Sequence, residues 1–191
     1  MKRLVATAAL AVITIPMAME AQNDNARIAA AVLAAPERSR EGATVVASDA
    51  EGNNVLLRQG TNDTVCLADD PSDQRFSVAC YHKALEPYMA RGRQLKAQGI
   101  SEHLEQRWSE IEGGTLEYPD HPATLWVLTG TSFDAATREV ADSYVRSVIY
   151  HAYASEENTG IPGYRMSGGL PWLMNSGKVG AHIMISPPRG R

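Results

Sequence analysis

Only two cysteines, two phenylalanines and three tryptophans occur among the 191 residues. Two thiols leave a single structural bridge or a catalytic thiol, and a nucleophilic Cys needs a partner His and a reason to escape oxidation. Catalytic signatures are missing as well. Met166-Ser167-Gly168-Gly169 lacks the leading glycine that a serine-hydrolase elbow needs to hold its nucleophile on a strained turn. Asn175-Ser176-Gly177-Lys178-Val179-Gly180 offers a Gly-Lys pair without the first glycine or the hydroxyl of a phosphate-cradling loop, so it reads as a hairpin turn. No His-Glu-x-x-His occurs, and His103-Leu104-Glu105 lacks the Pro-Cys-x-x-Cys partner of the zinc deaminases. Basic charge is in deficit: 18 Lys and Arg are scattered among 22 Asp and Glu. Without a basic stripe to displace phosphate counterions, nucleic acid is set aside as a partner.

Long apolar runs are also scarce, and the longest is at the start. Met1-Lys2-Arg3 is a short basic opening, residues 4–19 are uncharged, and polarity returns at Glu20 and Gln22. That order of basic, apolar and small-residue segments predicts a signal peptide over residues 1–21, cleaved after Ala21. The run is interrupted by Pro16 and is shorter than the roughly 20 residues that cross a bilayer. No cysteine lies near the exit to suggest lipidation. Nothing later approaches spanning length, so no membrane span is expected in the mature chain. Removal of Lys2, Arg3 and Glu20 moves the formal net charge from −4 to −5, and the remaining residues 22–191 suffice for a single α+β domain.

Cys66 and Cys80 both lie in the exported part, and an even count in an oxidising compartment predicts a disulfide. The bridge closes residues 67–79, whose run Asp69-Asp70-Pro71-Ser72-Asp73-Gln74 is too polar to order itself. A loop of this size is worth about 3 kcal/mol in the chain-entropy model. Asp69, Asp70 and Asp73, like Asp49 and Glu51, gather oxygen ligands for calcium, but both groups read as solvated connections.

Apolar periodicity sets the expected elements. A short helix over 23–35 is stopped by Pro36. Three alternating segments, 44–48, 54–58 and 64–68, are separated by turn formers and predict an antiparallel meander. Tyr81, Ala84, Leu85, Tyr88, Met89 and Leu95 fall at helical spacing, with a kink or a fresh start at Pro87. Ser101 caps a second helix carrying Leu104, Trp108 and Ile111 to Gly113. Residues 124–128 and 147–154 read as strands, 134–144 as a short helix or loop, and 156–169 as a long loop of the kind that carries function. A last hairpin pairs 171–175 with 181–186. Strands, then helices, then strands predict an α+β fold: a mainly antiparallel sheet of five to seven strands with two or three helices packed on one face.

Two function classes remain. The first is a binding or interaction protein of the cell envelope, periplasmic or secreted, without a cofactor, whose partner is a protein or a small ligand. Its surface is the 156–169 loop with Tyr153, Glu156, Glu157, Tyr164 and Trp172, because Tyr and Trp combine apolar area with a polar handle. The second is a metal-assisted hydrolase, in which His121, His151 and His182 on neighbouring late strands present three imidazoles to one ion and Glu156 or Glu157 serves as base. The shared premise is export. Protein recovered from its native host is expected to begin at Gln22 by intact mass, and a retained Met1 overturns that reading.

Overall fold

The computed structural model describes residues 16–48, 53–70 and 72–188, with side chains from Asn23 onward. Most of the expected leader, residues 1–15, lies outside the described residues. Helix α1 (Pro16–Ala31) runs across the expected cleavage point and continues into a 3-10 turn at Val32–Ala34. A single helical turn, α2 (Glu37–Arg40), leads to β1 (Thr44–Ser48), β2 (Asn54–Arg58), β3 (Thr64–Leu67) and β4 (Phe76–His82). Helices α3 (Glu86–Ala97) and α4 (His103–Glu112) follow, then β5 (Ala123–Gly130), β6 (Ser132–Asp134), β7 (Glu139–Ala141) and β8 (Tyr144–Tyr150). The chain ends with a one-turn α5 (Glu156–Thr159), β9 (Trp172–Met174) and β10 (His182–Ile185).

The fold is mixed α and β, and its sheet is larger than expected. Eight strands run in the order β2-β1-β3-β4-β5-β8-β10-β9, while β6 and β7 form a separate two-stranded hairpin where a helix or loop was expected. The expected meander is corrected at β3, which lies parallel to β1 on the side away from β2. The chain crosses the start of β1 after β2. Arg58 donates Nε to the Ala43 carbonyl and Nη2 to the Arg40 carbonyl, and the Thr61 and Asn62 amides both donate to Gly42. Gly60 makes the crossing possible, since a Cβ there would sit 2.2 Å from the Thr44 nitrogen. β2 is left as an exposed edge, with Leu56 55% accessible.

The expected disulfide is present. Cys66 and Cys80 are register partners on β3 and β4, both buried, with the Cys80 sulfur 3.3 Å from the Ala31 carbonyl. β4 itself was hidden in the sequence, because its last residues, from Tyr81, share the helical spacing of the α3 segment. Helix α3 starts afresh at Glu86, with Pro87 in the first turn, where a missing N–H leaves no bond unmade.

Alternation along the strands divides the core. On one face Cys66, Val78, Cys80 and Leu128 pack with Ala30, Ala31 and Val32, and the chain's two phenylalanines, Phe76 and Phe133, stack at 5.6 Å. On the other, Val65, Tyr81, Ala123 and Leu125 pack with Leu85 and Met89 of the α3 layer. Helices therefore cover both faces, not one as expected. The reason is that β3, β4 and β5 are apolar on both sides, which demands two covers. Helices α3 and α4 are joined by the bidentate pair of Arg91 with Glu110, at 2.8 and 2.6 Å, and by Arg107. The Arg107 guanidinium lies 3.9 Å over the Tyr88 ring and donates Nη1 to the Tyr88 carbonyl.

Gly60→Ala is expected to lower stability by about 3 kcal/mol, at the upper end for overpacking, because the added carbon meets backbone and has no side chain to displace. Gly163→Ala, where the new carbon would meet only Ser176, its Cβ at 3.6 Å, is expected to be near neutral. Urea midpoints of the two variants check this.

Candidate functional site

The α3–α4 layer stops short of the last strands. On its side of the sheet, positions 144, 146, 148 and 150 of β8 share one face, and Tyr150 packs in the α3 core. By register, Trp172 lies opposite Met184 and Arg146 opposite Val127 on that same face. The uncovered part is floored by Ser77, Thr129, Arg146, Trp172, Met174 and Met184. Residues 73–76, 165–169 and 186–188 wall it into an open cleft of about 1000 Å³.

Local bonds hold each wall. The Tyr144 hydroxyl donates to the Pro187 carbonyl at 2.8 Å, fixing the segment after β10. Gly169, at φ 79, lies against that segment, and a Cβ there would meet Pro188 Cδ at 2.8 Å. The opposite wall is shaped by two aspartates. Asp69 accepts the Ser77 amide at 2.7 Å, and Asp70 accepts both the amide and the hydroxyl of Ser72. Burial raises the Asp69 carboxyl above its ordinary value, partly offset by the Ser77 amide; the Ser72 bonds lower that of Asp70. Of the acids read in the sequence as solvated connections, Asp69 and Asp70 are thus backbone acceptors that order a turn, Asp73 is exposed in the cleft wall, and Asp49 and Glu51 lie outside the described residues.

Three arginines line the cleft, Arg75, Arg146 and Arg165, with Asp73 as its one acid among the described residues. None of the three has a carboxylate partner among the described residues. Arg146 Nε and Trp172 Nε1 are buried donors without an acceptor. A neighbouring cleft of about 930 Å³ shares the 73–76 wall but differs in this respect. There Arg27 donates to the Ser48 carbonyl, and Arg93 is tied to Glu86, Tyr81 and Asn54. Those two arginines are already committed within the fold.

The expected surface is only partly gathered. Trp172 floors the cleft, whereas Tyr153, Glu156, Glu157 and Tyr164 line neither cavity. Tyr153 has φ 58 and is 51% accessible, and Tyr164 is 65% accessible. Glu156 and Glu157 fill the first turn of α5, which Ser155 and Asn158 close with a reciprocal capping box. The strand expected over 147–154 ends at Tyr150, where the chain turns through His151 and Tyr153.

The three histidines do not form a ligand set. His121 is exposed, 2.8 Å from Asp120, with its ring edge-on to His82; His151 is exposed on the turn. His182 is half-buried, donates Nδ1 to the Gly180 carbonyl at 2.9 Å and packs on Tyr150 at 4.8 Å. Among the described residues no group of three or more His, Cys, Asp or Glu is placed to hold a metal ion. Comparison with family models, curated proteins and solved structures returns no match.

Arg75, Arg146 and Arg165 were not singled out from the sequence. Arg146 carries a signal, being an arginine in phase with Tyr144, Val148 and Tyr150, but the strand expected from Ser147 onward starts one residue too late to include it.

Burial holds the His182 imidazole below its ordinary value of 6.5, against the raising effect of the Gly180 carbonyl. The folded state therefore prefers the neutral ring. Its contribution is fully present above pH 6.5 and is lost as pH falls through the lowered folded value. Unfolding free energy is expected to drop more between about pH 7.5 and pH 5 in the wild type than in His182→Gln; equal drops contradict this.

Proposed function

We propose that this is an exported binding protein of the cell envelope, periplasmic or secreted, that holds a small ligand in the cleft floored by Arg146 and Trp172. The observation that carries the reading is the pair of buried donors, Arg146 Nε and Trp172 Nε1, left without acceptors in the lining of one concave surface. Buried donors in folded proteins are almost always paired. The other two unpaired polar atoms among the described residues, Trp108 Nε1 and Tyr118 Oη, lie outside the cleft lining, whereas these two share it, where a small turn of either side chain brings its donor to a ligand's acceptor. Support for export comes from the basic-then-apolar opening of the sequence and from the closed Cys66–Cys80 bridge, a bond that persists in oxidising compartments. The lining favours holding over reacting. It contains donors, thioethers and an indole, with one carboxylate and no histidine to pair with it.

Protein isolated from the medium or periplasm of its native host is expected to carry a small molecule visible by native mass spectrometry. Trp172→Ala should reduce its occupancy strongly, since loss of one buried aromatic anchor costs about 2 kcal/mol of binding. A ligand-free wild type, or equal occupancy in the variant, overturns the cleft as the site. Recovery of the protein solely from the cytosol overturns export.

A further inference from the structure

We infer that the ligand of this cleft is an oxyanion, a carboxylate or a phosphate monoester, joined to an apolar group; the inference rests on the binding reading above and assigns its chemistry. Two properties of the lining meet here. The first is uncompensated charge: Arg75, Arg146 and Arg165 face Asp73 alone, and none of the three has a carboxylate partner among the described residues. Elsewhere Arg27, Arg91 and Arg93 are paired with carboxylates, and Arg40, Arg58 and Arg107 donate to backbone carbonyls; the three cleft arginines have neither kind of partner among the described residues.

Guanidinium groups present their donors in a rigid fork that matches two oxygens of a carboxylate or phosphate. Arg146 is the central group. It is anchored on β8 within the sheet, half-buried, with its Nε shielded from solvent, so its charge is held in place and its interaction with an anion is poorly screened. Arg75 and Arg165 lie exposed on opposite walls and can close on an anion from either side.

The second property is an apolar floor next to this charge. Trp172, Met174 and Met184 share one face of β9 and β10, and Phe76 and Met166 line the same cleft. Met and Trp surfaces accept flat or irregular apolar groups with little specificity of shape. An inorganic anion leaves this floor unused, and a neutral apolar molecule leaves the arginines unpaired. The two halves together call for a ligand with both parts.

Isothermal titration at low ionic strength tests this with phenyl phosphate, benzoate, inorganic phosphate and benzyl alcohol as probes. Both aromatic anions are expected to bind at least tenfold more tightly than benzyl alcohol and than inorganic phosphate. Arg146→Gln is expected to weaken the aromatic anions by tenfold or more and to leave benzyl alcohol unchanged. Arg165→Gln changes an exposed loop residue and leaves the folded core untouched; it is expected to weaken the same two probes about threefold and to reduce their salt dependence. Equal affinity for benzyl alcohol and the anions, anion affinity unchanged in both arginine variants, or no binding by any probe each overturns the inference. A neutral molecule co-purifying in a Trp172-dependent way overturns it too while sparing the binding reading.

Discussion

The guanidinium of Arg107 lies over the Tyr88 ring while one of its nitrogens donates to the Tyr88 carbonyl, so a full charge is buried between α3 and α4 with a π face and a backbone acceptor to receive it. That contact fixes how the two helices meet, and their meeting fixes how much of the sheet they cover. Tyr88 in turn touches Tyr118 and Tyr150 edge-on, which carries the cover as far as the end of β8 and no further. Burial keeps the Tyr118 and Tyr150 hydroxyls far above the ordinary phenol range, so these rings remain neutral packing groups. Everything beyond them on that face, Arg146 and Trp172 included, is left to the loops. The cleft exists because the helical layer ends where it does.

Charge follows the same division. Where the helices cover the sheet, ionisable groups are matched within the fold: Arg91 with Glu110, Arg93 with Glu86 and Tyr81. Where the cover stops, three arginines are left over. Arg75 and Arg165 are exposed and keep their hydration, but Arg146 is half-buried with its Nε shielded and without an acceptor, which costs stability that an apolar residue at that position would not. The arrangement therefore makes physical sense as a binding surface and little sense as a device for stability.

Much of the architecture could be read from the residues. The strands at 44–48, 54–58 and 64–67, the second helix, the final hairpin and the disulfide all follow from short-range patterns: alternation, a stop at glycine, an even cysteine count. What could not be read was long-range. Nothing local says that β3 pairs with β1 in parallel, because the deciding contact is the passage of Gly60 over the Ala43–Thr44 backbone. β4 is hard to see because its alternating part, Phe76 to Cys80, is short and its last residues, Tyr81 and His82, run straight into the helical spacing of α3. The candidate site suffered for a related reason: only Trp172 was singled out, since aromatic residues announce themselves by type, whereas Arg146 matters only through its phase on a strand whose start was placed too late to include it. The late histidines lie near neighbouring strand ends, but their rings turn to separate surroundings.

The sheet order carries a kinetic cost. Its central pair, β4 with β5, joins strands separated in the chain by α3 and α4, and the parallel β1–β3 contact joins segments separated by β2 and its two connections. Pairings of this kind close large loops before they gain contacts, which makes a chain slow to reach its native state. For a polypeptide exported as proposed, which must thread a translocon while still extended, slow closure is an advantage: the interval between synthesis and collapse is the interval in which it can be moved.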